Sequence, residues 1–160
     1  MIAIKTLIFT ILAPGTVTVL VPYLLVSSST ARFSVELGTL RYFGLIPLLV
    51  GAATYFWCAW EFVSSGRGTP APVDPPKELV VQGLYQHVRN PMYVVVLSIL
   101  LGEVLLFQSA LLFAYTALML LAFHLFVVSY EEPALGRKFG ESYARYRSSV
   151  PRWLPRLKRR

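Results

Sequence analysis

Residues 92–130 read MYVVVLSILLGEVLLFQSALLFAYTALMLLAFHLFVVSY, an apolar run interrupted by one acid, Glu103. As a single helix, at about 1.5 Å per residue, it would extend roughly 58 Å, about twice the hydrocarbon core of a bilayer. The run must therefore fold back. Phe107–Gln108–Ser109 is the one plausible turn within it. This predicts helices over 91–107 and 110–130, joined as a tight hairpin with a short first arm.

The rest of the chain has the same character. Of 160 residues, 56% are hydrophobic and 14% charged, where soluble domains carry roughly 25% charged residues. Mean hydropathy is +0.60. Residues 6–26 and 42–60 are two further apolar runs of spanning length, the first with Pro14 and Pro22 as expected kinks. Lys5 precedes the first run, yet the run is too long for a typical signal peptide, and no small-residue cleavage site closes it. It reads as a retained helix. Between Gly66 and Pro76 lie four prolines and two glycines, which exclude regular helix and predict an extended loop. Cys58, the single cysteine, sits in an apolar run as a small buried hydrophobe, and a cysteine-pair metal site is excluded.

The expected architecture is an all-α integral membrane protein of about four transmembrane helices. A single domain covers 1–160. Two N-terminal spans occupy 1–63, a loop 64–90, the helical hairpin 91–130 and a C-terminal segment 131–160. In that last segment Leu135, Phe139, Tyr143, Tyr146 and Val150 are spaced by four, four, three and four. They form one face of an amphipathic helix that lies on a membrane surface or caps a bundle. Pro133 suits its first turn. Trp153 and the terminal RLKRR read as a surface anchor.

Net charge is +7, and nine of the fifteen basic residues follow Glu132. A basic tail after an apolar span points to anionic lipid headgroups rather than nucleic acid. Arg67, Lys77 and Arg89 share a side with that tail, because the two arms of the hairpin separate them. By the positive-inside rule that side is cytoplasmic, as are both termini.

Two polar clusters meet there. Tyr85, His87, Arg89, Asn90, Pro91 and Tyr93 precede or open the first arm of the hairpin. Glu131 and Glu132 close the second arm. Asn90–Pro91 reads as an N-cap followed by a proline in the first turn, leaving Arg89 just outside the helix. Paired acids at a helix C-terminus oppose the helix dipole. A break at Pro133 would instead place them before the next helix, or they would pair with Arg89 or accept bonds from ligand hydroxyls.

The segments GLYQHVRNPMYV (83–94) and YEEPALGRKFGESYARYRSSVPRWLP (130–155) resemble the isoprenylcysteine carboxyl methyltransferase and phospholipid methyltransferase superfamily of membrane enzymes. The likeness runs through Arg89–Pro91–Tyr93, Glu131–Glu132, Leu135, Phe139–Gly140–Tyr143–Tyr146 and Val150–Pro151. Two positions depart from the family pattern: Asn90 replaces a histidine and Val95 a glycine. Asn90 does not titrate, which removes a general base there. Val95 narrows the space that the glycine leaves.

The resemblance implies methyl transfer from S-adenosylmethionine to a lipophilic small molecule, lipid or prenylated acceptor. The cofactor is expected between the hairpin arms, beneath the C-terminal segment. Tyr85, His87, Asn90, Pro91, Tyr93, Glu131 and Tyr143 are the implied cofactor-binding residues. Glu131, or its neighbour, accepts from ribose hydroxyls or the cofactor ammonium. Arg89 and Glu132 are the implied catalytic pair. Arg89 orients an anionic group, and Glu132 either holds Arg89 or removes a proton. The competing reading is a non-catalytic membrane protein that uses Arg89 and the tail for phosphate contacts. Glu103 and His124 remain candidate bundle-interior polar groups, and Glu61 marks an interface. Two separated histidines make no metal site.

Overall fold

A computed structural model of the chain describes residues 2–28, 36–64 and 78–155. The proline-rich stretch at 65–77 and the basic tail at 156–160 lie outside the described residues. The helices are α1 (Ile2–Leu12), α2 (Val21–Ser28), α3 (Leu45–Ser64), α4 (Pro91–Phe107), α5 (Ala110–Phe126) and α6 (Glu132–Ser149). A π-helical segment, Thr16–Leu20, leads into α2, and another, Val127–Glu131, joins α5 to α6. Short 3-10 helices, Gly38–Gly44 and Gly83–Gln86, precede α3 and α4.

Ile4–Ser28, Gly38–Glu61 and Ala110–Ser149 are long and apolar enough to cross a membrane. Pro91–Phe107, at 17 residues, is a shorter apolar helix. Leu7, Ile11, Trp57, Leu118 and Leu125 are exposed on the outer surface, an arrangement that suits lipid rather than water.

The hairpin forms where the apolar run predicts it. Gln108 takes a left-handed conformation, with φ 52°, and Ser109 caps α5 by accepting from the Leu112 N–H at 3.3 Å. The Gln108 side chain accepts from the Leu37 N–H at 3.0 Å, tying this turn to the start of the second long helical stretch.

Both π segments run up to a proline. Pro22 and Pro133 have no N–H to offer the carbonyl four residues back. The residue before each reaches one place further: the Val21 N–H bonds the Thr16 carbonyl, and the Glu132 N–H bonds the Val127 carbonyl. The helix continues through a wider turn instead of stopping. The break expected at Pro133 is therefore absent. α6 is interrupted later, at Gly140, where φ 53° and ψ −127° leave helical space. A residue without Cβ tolerates that geometry.

α3 packs along α4, burying Tyr55 and Ala59 against Val95, Val96 and Leu100. Cys58 is buried with Val80 and Tyr85, as expected of a small hydrophobe. Towards the hairpin turn the two backbones touch. A Cβ on Gly102 would stand 2.5 Å from the Gly44 carbonyl oxygen. Gly102→Ala should therefore force α4 away from the 3-10 helix. The expected loss is about 1–3 kcal/mol, seen as a lower unfolding midpoint in detergent. Gly136→Ala is the control, because its Cβ would meet nothing nearer than 4.0 Å. Equal midpoints for the two variants would contradict this packing.

Candidate active site

The hairpin returns α5 and its π extension to the start of α4, and this brings the two polar clusters together. Arg89 Nη1 donates to Glu132 Oε1 at 2.9 Å, and the two side chains are only 9% and 7% exposed. Tyr93 donates its hydroxyl proton to Glu131 Oε2 at 2.8 Å. Successive residues on a helix point in directions roughly 100° apart, so the adjacent acids reach different partners. Glu131 turns towards α4, and Glu132 towards Arg89 and the chain that follows α6.

That following chain, residues 150–155, forms a strap across the start of α4. The Arg89 N–H donates to the Pro151 carbonyl at 2.8 Å, and Asn90 Nδ2 donates to the Arg152 carbonyl at 3.2 Å. Arg152 grips Glu132 with a two-pronged contact, Nε to Oε1 at 2.7 Å and Nη2 to Oε2 at 3.0 Å. Such forked guanidinium–carboxylate pairs are among the stronger hydrogen bonds in proteins. The bonds to Glu132 push the Arg152 guanidinium above its ordinary value, so it stays charged. Arg147 approaches Glu132 at 3.9 Å but is largely exposed, which makes its contribution small.

One expectation changes here. Asn90 does not cap α4 with its side chain; it holds the strap instead. Trp153 is half-exposed. Its indole N–H donates to His124 Nδ1 at 3.2 Å, and its ring lies edge-on to Tyr93. His124 thus serves the strap and does not line the cavity described below.

Two hollows flank the Arg89–Glu132 pair. One is a half-open cavity of about 140 Å³ between the helices. Tyr85, Arg89, Asn90, Tyr93 and Glu131 supply its polar lining, and Phe9, Ala13, Val17, Val96 and Phe123 are part of its apolar lining. The other is an open groove of about 710 Å³ beside α6, where Glu132, Arg147 and Arg152 meet Val128, Pro133 and Tyr143. His87 and Pro91 line neither. Pro91 opens α4, and His87 follows the 3-10 turn. Tyr143 is buried beside Arg89. Tyr85 is buried, and burial pushes its hydroxyl well above the ordinary tyrosine range. Its carbonyl accepts from the Tyr146 hydroxyl at 2.7 Å.

Arg89 Nε is buried and has no hydrogen-bond partner among the described residues. A buried donor left unmatched is costly, so this atom suits a ligand that brings an acceptor. Sequence reasoning alone missed Arg152. Its only signal was a basic residue directly after Val150–Pro151.

Arg152→Ala should free the strap while Arg89 keeps Glu132 paired. The expected cost is about 1.5–3 kcal/mol for a lost charged hydrogen bond. Limited proteolysis should then cut within 150–155 faster than in the parent protein, with Arg152→Lys intermediate. Unchanged protection of this segment would contradict the latch.

A model of the phospholipid methyltransferase family matches residues 39–142, from the 3-10 helix before α3 to the residue before Tyr143. No curated protein matches the chain. The matched region holds α3, the hairpin and both halves of the Arg89–Glu132 pair, and it covers well over half of the sequence. The chain belongs to the phospholipid methyltransferase family, within the wider superfamily of integral membrane methyltransferases that includes the isoprenylcysteine carboxyl methyltransferases.

Proposed function

We propose that the protein transfers a methyl group from S-adenosylmethionine to a lipophilic acceptor, with the cofactor bound at the cytoplasmic end of the bundle. The observation that carries this reading is the juxtaposition at one end of the hairpin. An orphan buried donor, Arg89 Nε, and the Glu131 carboxylate head an apolar cavity. An open groove that carries Arg147 and Arg152 adjoins the same ion pair.

The residues present fit the cofactor's charges. Glu131 suits its ammonium or ribose hydroxyls. Arg89, Arg147 and Arg152 suit its carboxylate, and Tyr143 shapes the groove. When bound, the cofactor supplies a methyl group on positively charged sulfur, already activated for displacement. The protein's task is then chiefly positioning, worth ~7–11 kcal/mol in well-aligned cases.

The two acids divide the work. Glu132 accepts three hydrogen bonds from two guanidiniums, which makes it a poor base and a good brace for Arg89. Glu131 accepts from Tyr93 and faces the cavity. It is the group placed to take a proton from a protonated acceptor, and a carboxylate acceptor needs none. Asn90 holds the strap through its amide and has no titratable proton.

S-adenosylhomocysteine at about 100 times its Kd should stabilise the solubilised protein by about 2.7 kcal/mol. Absence of any shift in a folded sample would favour a non-catalytic protein. Glu131→Gln should raise the Kd for S-adenosylhomocysteine about tenfold, or about 1.4 kcal/mol, measured by calorimetry. Arg89→Ala should abolish methyl transfer yet leave membrane insertion intact. Wild-type affinity in the first variant, or wild-type turnover in the second, would remove that residue from the site.

A further inference from the structure

Three arginines stand around Glu132, and two of them satisfy it. Arg89 and Arg152 donate to both of its oxygens. The third, Arg147, stops 3.9 Å from Oε2, and its side chain is 59% exposed. Among the described residues no hydrogen bond holds its guanidinium, and no other acid pairs with it. We propose that Arg147 is a specificity-determining residue, which receives the phosphodiester of a phospholipid acceptor in the open groove beside α6. The inference rests on the methyltransferase reading. It adds the residue by which a phosphate-bearing acceptor is told from other lipophilic amines. Arg147 lies beyond the family match, which ends at residue 142.

Charge gives the sign of the ligand. Three guanidiniums against the one carboxylate of Glu132 leave two positive charges unmatched in the cluster. Like charges held this close repel, and an anion in the groove relieves the repulsion. Three arginines also exceed what the two oxygens of a cofactor carboxylate can engage. Arg89 and Arg152 are tied into the ion-pair cluster, so Arg147 is the one able to turn to a different anion. Guanidinium N–H groups match phosphate oxygens in charge and in geometry.

The groove lining gives the class of the ligand. Val128 and Pro133 share the groove with Arg147 and Ser148. Val128 continues the exposed apolar surface that Leu125 and Phe126 carry along α5, a surface that suits lipid. The groove therefore joins a lipid-facing helix to an uncommitted guanidinium. A free inorganic anion makes no use of the apolar side, and the cofactor carboxylate brings no acyl chain to lay against it. A phospholipid supplies both, with its chains against Val128 and its phosphodiester at Arg147. Gly136, Gly140 and Ala144 also line the groove. A Cβ on Gly140 would meet nothing within 4 Å, so this wall of α6 leaves room for a headgroup.

The test uses the full-length protein in dodecyl maltoside, a detergent without phosphate. Dioleoylphosphatidylethanolamine is compared with dioleoylaminopropane, which has the same primary amine and chains but no phosphate. Calorimetry reads S-adenosylhomocysteine affinity for each variant. The parent protein should prefer the phospholipid. Arg147→Gln should lower the ratio of the two kcat/KM values, phospholipid over aminopropane lipid, about tenfold, the scale of one lost charged hydrogen bond. The loss should fall on KM for the phospholipid, and Arg147→Lys should recover part of it. Dioleoylphosphatidylcholine should raise the Tm of the parent protein more than that of Arg147→Gln, and inorganic phosphate at equal concentration should not. Preference of the parent for the aminopropane lipid, an unchanged ratio in folded Arg147→Gln, or equal stabilisation by inorganic phosphate overturns this inference alone. So does weakened S-adenosylhomocysteine binding in Arg147→Gln with the ratio intact, which would assign the residue to the cofactor carboxylate. No transfer to either lipid while the cofactor binds has the same consequence. Absence of cofactor binding in the parent protein overturns the methyltransferase reading and this inference with it.

Discussion

A carboxylate withdrawn from water must be met by donors, and Glu132 is met on both oxygens. Arg89 reaches it from the start of α4, and Arg152 from the strap beyond α6. Forty-three residues separate Glu132 from Arg89 and twenty separate it from Arg152. The contact therefore exists only if the hairpin folds back and the chain after α6 returns over the same end. Breaking such a buried cluster by removing one partner is typically far costlier than the cluster's net worth. Its value here is geometric, because it fixes three segments at one point and holds the Arg89 side chain between two hollows.

The prolines make this geometry possible in an unexpected way. A conventional helix end at Pro133 would have released the acids into a loop. The wider turn before it keeps the backbone helical, so Glu131 and Glu132 leave the helix at fixed and different angles. One acid enters the cavity and the other braces the arginine. A matching wide turn before Pro22 sets Val17 on the opposite wall. Single wide turns of this sort occur often at functional sites, and here two of them border one cavity.

Much of this was legible in the sequence because its causes are local or set by length. The hairpin follows from an apolar run too long for one crossing, with Phe107–Gln108–Ser109 as its one plausible turn. The meeting of Arg89 with the acids follows from the hairpin. Other features depend on distant contacts without a local signature. Nothing near Arg152 announces that it will fork onto Glu132, and nothing near Trp153 announces His124. Asn90 looks like a cap, but a carbonyl 62 residues away wins its amide. Gly102 meets Gly44 through backbone approach alone. The regular spacing of Leu135 to Val150 suggested one uninterrupted helix, because periodicity does not register the left-handed turn at Gly140.

Arg89 and Glu132 act as one unit at the same end of the bundle. A double-mutant cycle tests it directly, using Arg89→Met, Glu132→Gln and the combined variant in reversible detergent unfolding. The expected coupling energy is more than about 1 kcal/mol, as found for residues in one ion-pair network. Effects that add within about 0.3–0.5 kcal/mol, the behaviour of distant sites, would contradict it.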